Sequence, residues 1–232
     1  DKETDFNASL KAINDYKSLP QFFEVESDLS ILRATKIGAE FNLPFIIKGN
    51  GKEYKRINEL KENKTQLIVP INFPDAYDVS DPFLNRQLPL SRLKNWEMAP
   101  CNLGLLSEAE IDFTITSHSI KTEKEFYSNI LKTIQSGLKR EEAIDALTIT
   151  SAKYLGKEDL IGSIEANKLA NFLILSDSLF AKNSILLENW VDGEKYTINK
   201  LPSIDIRGTY SLNINKKAQY DIEIKGDFSK LK

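Results

Sequence analysis

Histidine is nearly absent from this sequence: His118 is the only one, as Cys101 is the only cysteine. A lone cysteine forms no internal disulfide and leaves the redox compartment open. One His with one Cys excludes an ordinary zinc finger and any multi-histidine zinc site. No run approaches 18 apolar residues, so no transmembrane helix is expected. The acidic, polar opening Asp1-Lys-Glu-Thr-Asp carries no signal-peptide pattern, which also suits an internal piece of a longer protein. Neither sign of charge dominates: 31 Lys and Arg face 34 Asp and Glu, a net −3. That balance gives no drive toward nucleic acid or an anionic membrane surface. None of this fixes a cellular compartment.

What is present is a globular composition, 41% hydrophobic and 28% charged, in a chain of 232 residues. The order of elements is more telling. Residues 4–17 carry Phe6, Leu10, Ile13 and Tyr16 at helical spacing, and Pro20 ends the pattern. Residues 22–25 predict a strand. Ser27-Asp28 caps a helix over 29–41, with Leu29, Leu32, Ile37 and Phe41 on one face. A strand at 44–47, the turn Gly49-Asn50-Gly51, a helix at 53–61 and a strand at 67–71 come after it. Residues 72–86, with Pro74 and Pro82, predict a loop. A helix at 89–98 ends at Pro100, and a strand at 111–115 comes next. Helices at 122–136 and 139–154 complete this part, with Gly156 at the C′ position of the second. Near-continuous apolar strands alternating four times with helices predict parallel βαβ units with both sheet faces covered. After Gly156 the pattern turns to β: 163–164, 172–175, 185–191 with the turn Asp192-Gly193, and 196–198. Pro202 predicts a linker. Residues 207–213 and 220–225 then predict a hairpin around Asn215-Lys216-Lys217.

Residues 148–156, TITSAKYLG, and 161–177, IGSIEANKLANFLILSD, carry the strongest motif. Together they resemble the C-terminal signature of the amidohydrolase superfamily, of imidazolonepropionase or dihydroorotase type. Its usual form is a Thr-x-x-x-Ala-Lys-x-Leu-Gly helix, then Gly-x-Ile-x-x-Gly-Lys-x-Ala-Asp and a strand. The resemblance covers roughly residues 18 to 198 and weakens upstream of this signature. It implies a (β/α)8 barrel flanked by a β-sandwich built from both chain ends, with metal ligands at the C-terminal ends of the barrel strands. By element count the four strands here resemble the fifth to eighth. The expected architecture is therefore α/β: the C-terminal half of a TIM-type barrel, about four βα units, then a small β-sandwich-like region and a C-terminal hairpin. The implied divisions are 1–156 for the partial barrel, 157–201 for the β region, and 202–232 for a linker and hairpin that open a further module.

The resemblance also places three metal-ligand positions. The fifth-strand His falls on Glu24, the sixth-strand His on Lys48 and the eighth-strand Asp on His118. All three are replaced, and a Lys puts positive charge where a cation belongs. The expectation is no cofactor in this segment, with zinc or another divalent metal only if a full-length protein is active. Glu24 and Lys48, ending adjacent strands, either pair across the barrel mouth or stay solvated. His118 is either a locally bonded strand-end residue or, with Glu24, half of an acid–base couple. Asp75, Asp78 and Asp81 lie amid Pro and Asn without the tight Gly turn of a calcium loop. Trp96 and Trp190 are expected in a core or interface. The charges at 139–142 are expected on a helix surface. The implied partners are the remaining half or a second domain of a longer protein, or a second copy of this chain; neither nucleic acid nor membrane is expected. Some long bacterial members of the superfamily resemble tandem arrangements.

Overall fold

A computed structural model describes the chain except for residues 1–6, 82, 84, 85, 182, 201–205, 215–217, 228, 229 and 232. Phe6, Pro82, Pro202 and the turn at 215–217 therefore lie outside the described residues. The chain divides into two compact units, Asp1–Ser163 and Ile164–Lys232, where the sequence pattern places its first boundary at 156.

The first unit is built on a four-stranded parallel sheet in the order β1-β2-β3-β4. Its strands are β1 (Gln21–Glu24), β2 (Phe45–Lys48), β3 (Gln66–Pro70) and β4 (Phe113–Thr116). Between them run α2 (Asp28–Glu40), α3 (Ile57–Glu62), α4 (Leu90–Met98) and α5 (Asn102–Glu108). Helix α1 (Ala8–Tyr16) precedes β1. After β4 come α6 (Glu123–Gln135), α7 (Arg140–Leu147) and α8 (Ile149–Tyr154). Local chemistry sets the helix starts. The side chains of Ser27 and Thr122 accept from the backbone N–H of Ser30 and Glu125, so each caps its helix.

Register sorts the side chains into two faces. Phe23, Phe45, Ile47, Leu67, Val69, Phe113 and Ile115 share one. Ile47, Leu67 and Val69 are buried there, and α2 brings Ile31, Ala34 and Gly38 to the core. Gly38 is obligatory: a Cβ on it would sit 2.5 Å from the Leu43 carbonyl and 3.0 Å from the Phe45 ring. The other face carries Phe22, Glu24, Ile46, Lys48, Ile68, Thr114 and Thr116. Helices α7 and α8 reach its far end, where Thr114 Oγ1 donates to the Ala146 carbonyl at 2.7 Å. At the start of β3, Tyr154 Oη accepts from the Leu67 N–H at 3.2 Å, and burial pushes the Tyr154 phenol well above its ordinary pKa. The expectation that one apolar face of all four strands lies in water does not hold, since Ile46 is 5% and Thr114 6% exposed. Exposure concentrates on β1, where Phe22 is 52% and Phe23 43% exposed, and on α1, which buries no residue.

Other expectations need correction. Strand bounds shift by one or two residues. Pro100 sits in a 3-10 turn, Ala99–Cys101, that leads directly into α5, so it joins two helices and does not end the region. The helix expected over 139–154 is two helices, broken at Thr148, whose hydroxyl donates to the Ile144 carbonyl. The helix expected from residue 53 opens as a 3-10 turn, Glu53–Arg56. Residues 163–164 form no strand.

The second unit holds a three-stranded antiparallel sheet of β5 (Phe172–Leu175), β6 (Leu186–Val191) and β7 (Glu194–Thr197). Trp190 stacks on Phe172 at 5.3 Å across β5 and β6. Strands β8 (Gly208–Ile214) and β9 (Ala218–Ile224) pair antiparallel, with Tyr210 against Ile222 and Leu212 against Tyr220.

Candidate functional site

The C-terminal ends of parallel strands gather backbone and side-chain groups at one mouth, because every strand leaves the sheet there. Register places Glu24 beside Lys48 on the same face. Lys48 Nζ donates to Glu24 Oε1 at 2.5 Å. The Lys48 side chain is only 16% exposed and that of Glu24 63%, so a largely sheltered ammonium meets a carboxylate standing in water. The Lys48 hydrogen bond and then its charge hold the Glu24 carboxyl below the usual carboxylate range, and His118 adds a weaker pull in the same direction. His118 comes after β4 on an exposed turn, its N–H donating to Thr116 Oγ1 at 3.2 Å, with Ser119 in a left-handed conformation at φ 62. The three positions singled out in the sequence thus fall at one end of the sheet. Two are in direct contact, and the third lies within electrostatic reach of Glu24.

The loops that hold this mouth are tied by backbone and by one buried carboxylate. Val25 donates to the Lys48 carbonyl and Gly49 to the Ile68 carbonyl, each at 3.0 Å. Asn50 Nδ2 donates to the Glu26 carbonyl at 2.8 Å, linking the loops after β1 and β2. Glu53 is fully buried. Its Oε1 accepts the N–H groups of Asn50 and Gly51 at 2.7 and 3.0 Å, and its Oε2 accepts Asn102 Nδ2 at 2.6 Å. Asn102 Oδ1 in turn accepts the Tyr54 N–H at 2.8 Å. A Cβ on Gly49 would lie 2.0 Å from Glu53 Oε1, so this glycine makes room for the carboxylate. Sequence reasoning missed Glu53 and Asn102. The Gly49-Asn50-Gly51 turn beside an acid was the only signal for them.

Other groups fall elsewhere. Asp78 Oδ1 accepts the Ser80 N–H at 3.0 Å and stays exposed in its loop. Trp96 is 43% exposed, outside any core. Glu142, expected among surface charges, accepts from Ser107 and from Lys139 and is held below its ordinary range chiefly by the Ser107 hydroxyl. A cavity of about 490 Å3 opens where β4 runs into α6, beside Thr116 and Lys121. A larger one, about 810 Å3, lies at the opposite end of the sheet among Asn42, Phe45, Lys64 and Glu110. Size does not decide between them: in barrels of this kind the chemistry gathers at the C-terminal strand ends.

Against known families, residues 104–200 match the model of the amidohydrolase family, which is less than half of the chain. Among solved structures, an amidohydrolase from Thermotoga maritima aligns with a TM-score of 0.65 at 23% identity, over 85% of this chain and 49% of its own. A Xaa-Pro dipeptidase with methionine in its active site aligns with a TM-score of 0.59 at 18% identity, over 81% of this chain and 47% of its own. A further amidohydrolase aligns at 0.54, with 14% identity, over 77% and 44%. A search of curated proteins finds no match. The findings support the amidohydrolase superfamily. The fold is mixed α/β with a parallel sheet, like its TIM-barrel members, and the chain spans about half the length of the solved structures it matches. Two details of the amidohydrolase signature are visible in the backbone. Gly162 has φ 96 and packs so tightly that a Cβ would lie 2.7 Å from the Ala152 methyl. Asn167 stands where the signature has Gly and takes φ 73, a left-handed conformation that Asn tolerates.

Amidohydrolases are generally metal-dependent, which raises the question of whether the donor set at the mouth suits that role. A divalent ion needs several anionic or neutral donors converging on an open position. Here an ammonium is bound to the one carboxylate, and Lys48 offers no lone pair while charged. Among the described residues no three His, Cys, Asp or Glu side chains form a metal-binding group. These residues do not fit a catalytic metal ion.

Proposed function

We propose that this chain is an amidohydrolase-like segment that does not itself run metal-dependent hydrolysis and has a structural or ligand-binding role in a larger protein. The observation that carries this reading is the Lys48–Glu24 contact at the strand ends. Where a metal would lower the pKa of a water and polarise a carbonyl, a fixed ammonium is already neutralised by its neighbour. The ammonium can hold a hydrogen-bonding ligand at the mouth but supplies no activated water. His118 and Glu24 at the same end form the only acid–base couple this reading leaves for non-metal chemistry.

A second reading is an active metal-dependent hydrolase of C–N bonds other than ordinary peptide bonds, its ligands lying outside this chain. It draws support from the share of the matched structures that the chain leaves uncovered, about half. Within the superfamily, the signature at 148–177 favours the imidazolonepropionase and dihydroorotase type.

Turnover of a dihydropyrimidine, a simple amide and an Xaa-Pro dipeptide, with and without added zinc, tests the proposal. The expected outcome is no turnover above the uncatalysed rate in either condition. Zinc-dependent turnover would support the second reading. Turnover that survives chelation and is lost in His118→Ala would make the chain a non-metal hydrolase.

A further inference from the structure

The two edges of the parallel sheet are finished differently. At β4, Phe113, Thr114 and Ile115 are buried, and Thr114 is tied to α7. At β1 both faces are open, through Phe22 on one and Phe23 on the other. The strand carries no Lys, Pro or bulge that would blunt its unpaired backbone groups. The surface beside it is apolar as well. On α2 the flank bearing Thr35 faces β3, since Thr35 Oγ1 meets Thr65 Oγ1 at 3.5 Å. The opposite flank, with Ile37 50% and Phe41 65% exposed, therefore lies on the β1 side. Helix α1 adds Leu10 at 59% and Ile13 at 51% exposure, and Gln21 Nε2 ties the chain after it to β1 through the Tyr16 and Leu19 carbonyls.

We infer that this face of α1, β1 and α2 binds a second copy of the chain across a twofold axis, with the two β1 strands pairing edge to edge. Three observations select that occupant. With side chains of this size about half exposed, the patch and its immediate neighbours leave on the order of 800 Å2 of apolar surface, what one partner contributes to a stable interface of standard size. The covered face at β4 offers no matching surface, so β1 of one copy does not dock on β4 of the next in a growing chain. A self-complementary contact remains, and it closes after two copies. Antiparallel pairing of two β1 strands satisfies both open edges and continues both sheet faces.

Light scattering and sedimentation of the full chain from about 0.1 to about 100 µM test the inference. The expected result is a monomer–dimer equilibrium in the micromolar range. Phe22→Lys weakens it at least about 30-fold, as a central buried aromatic does. Ile164→Lys, at an 81% exposed position of the other unit, leaves it unchanged. Phe41→Lys, on a different element, repeats the test if Phe22→Lys loses its circular dichroism signature. A monomer at every concentration would overturn the inference. So would a dimer that both Phe22→Lys and Phe41→Lys leave intact, since the contact would then lie elsewhere.

Discussion

At β4 the sheet ends under helices; at β1 it ends in water. The strands are of equal length and similar composition, so strand propensity does not explain the difference. Phe113 and Phe23 lie on the same sheet face, yet Phe113 is 5% exposed and Phe23 43%. The elements adjoining each strand in the chain make the difference. After β4 come three helices, of which α7 and α8 fold back to the strand starts through Thr114 and Tyr154. Helix α1, before β1, buries nothing. Aromatic residues are thus no guide to core position at a sheet edge; the covering layer decides.

The contrast is broken or sharpened most strongly by equal truncations at the two edges. Phe113→Ala is expected to cost about 3–5 kcal/mol of stability in urea unfolding, whereas Phe23→Ala, measured at dilution, costs about 1 kcal/mol or less. Equal costs would mean that the edges are equally packed. Next in size is Glu53→Ala, which strands the N–H groups of Asn50 and Gly51 and the Asn102 amide in a buried site. A loss of about 2–4 kcal/mol is expected, with faster hydrogen exchange at Asn50 and Gly51. Thr114→Val, which removes the bond to Ala146 under the covered edge, should cost about 1–2 kcal/mol. Unchanged stability there would show that helix burial alone covers β4.

The smallest effect is electrostatic. The folded Glu24 pKa lies below the ordinary 4.5. Its stabilising contribution is therefore fully present above that value and is lost as pH falls through the depressed pKa. Carbon-detected NMR titration should place the Glu24 carboxyl below 4.5, and Lys48→Met should raise it back toward that value. A Glu24 titration that Lys48→Met does not move would show that the pair does not persist in solution.

Much of the first unit was legible in the sequence because parallel strands buried by helices are short apolar runs between caps and turns. Ser27 and Thr122 marked their helices, and Gly156, with φ 61, marked the end of α8. Helix α5 was illegible because Pro100 signals a stop, and a proline inside a 3-10 turn between two helices gives the same signal. Glu53 was illegible because a charged residue at a helix start reads as solvated, and its partner Asn102 lies far along the chain. At the mouth, residue types located Glu24 and Lys48, but only register shows that they share a face.

If the Lys48 ammonium stands where a superfamily metal would, the mouth has no affinity for zinc. Zinc titration in a calorimeter, with elemental analysis of the dialysed protein, tests this directly. The predicted result is well under one tightly bound zinc per chain, both in the wild-type protein and in Glu24→Gln. About one zinc per chain, with affinity lost in Glu24→Gln or His118→Ala, would contradict it.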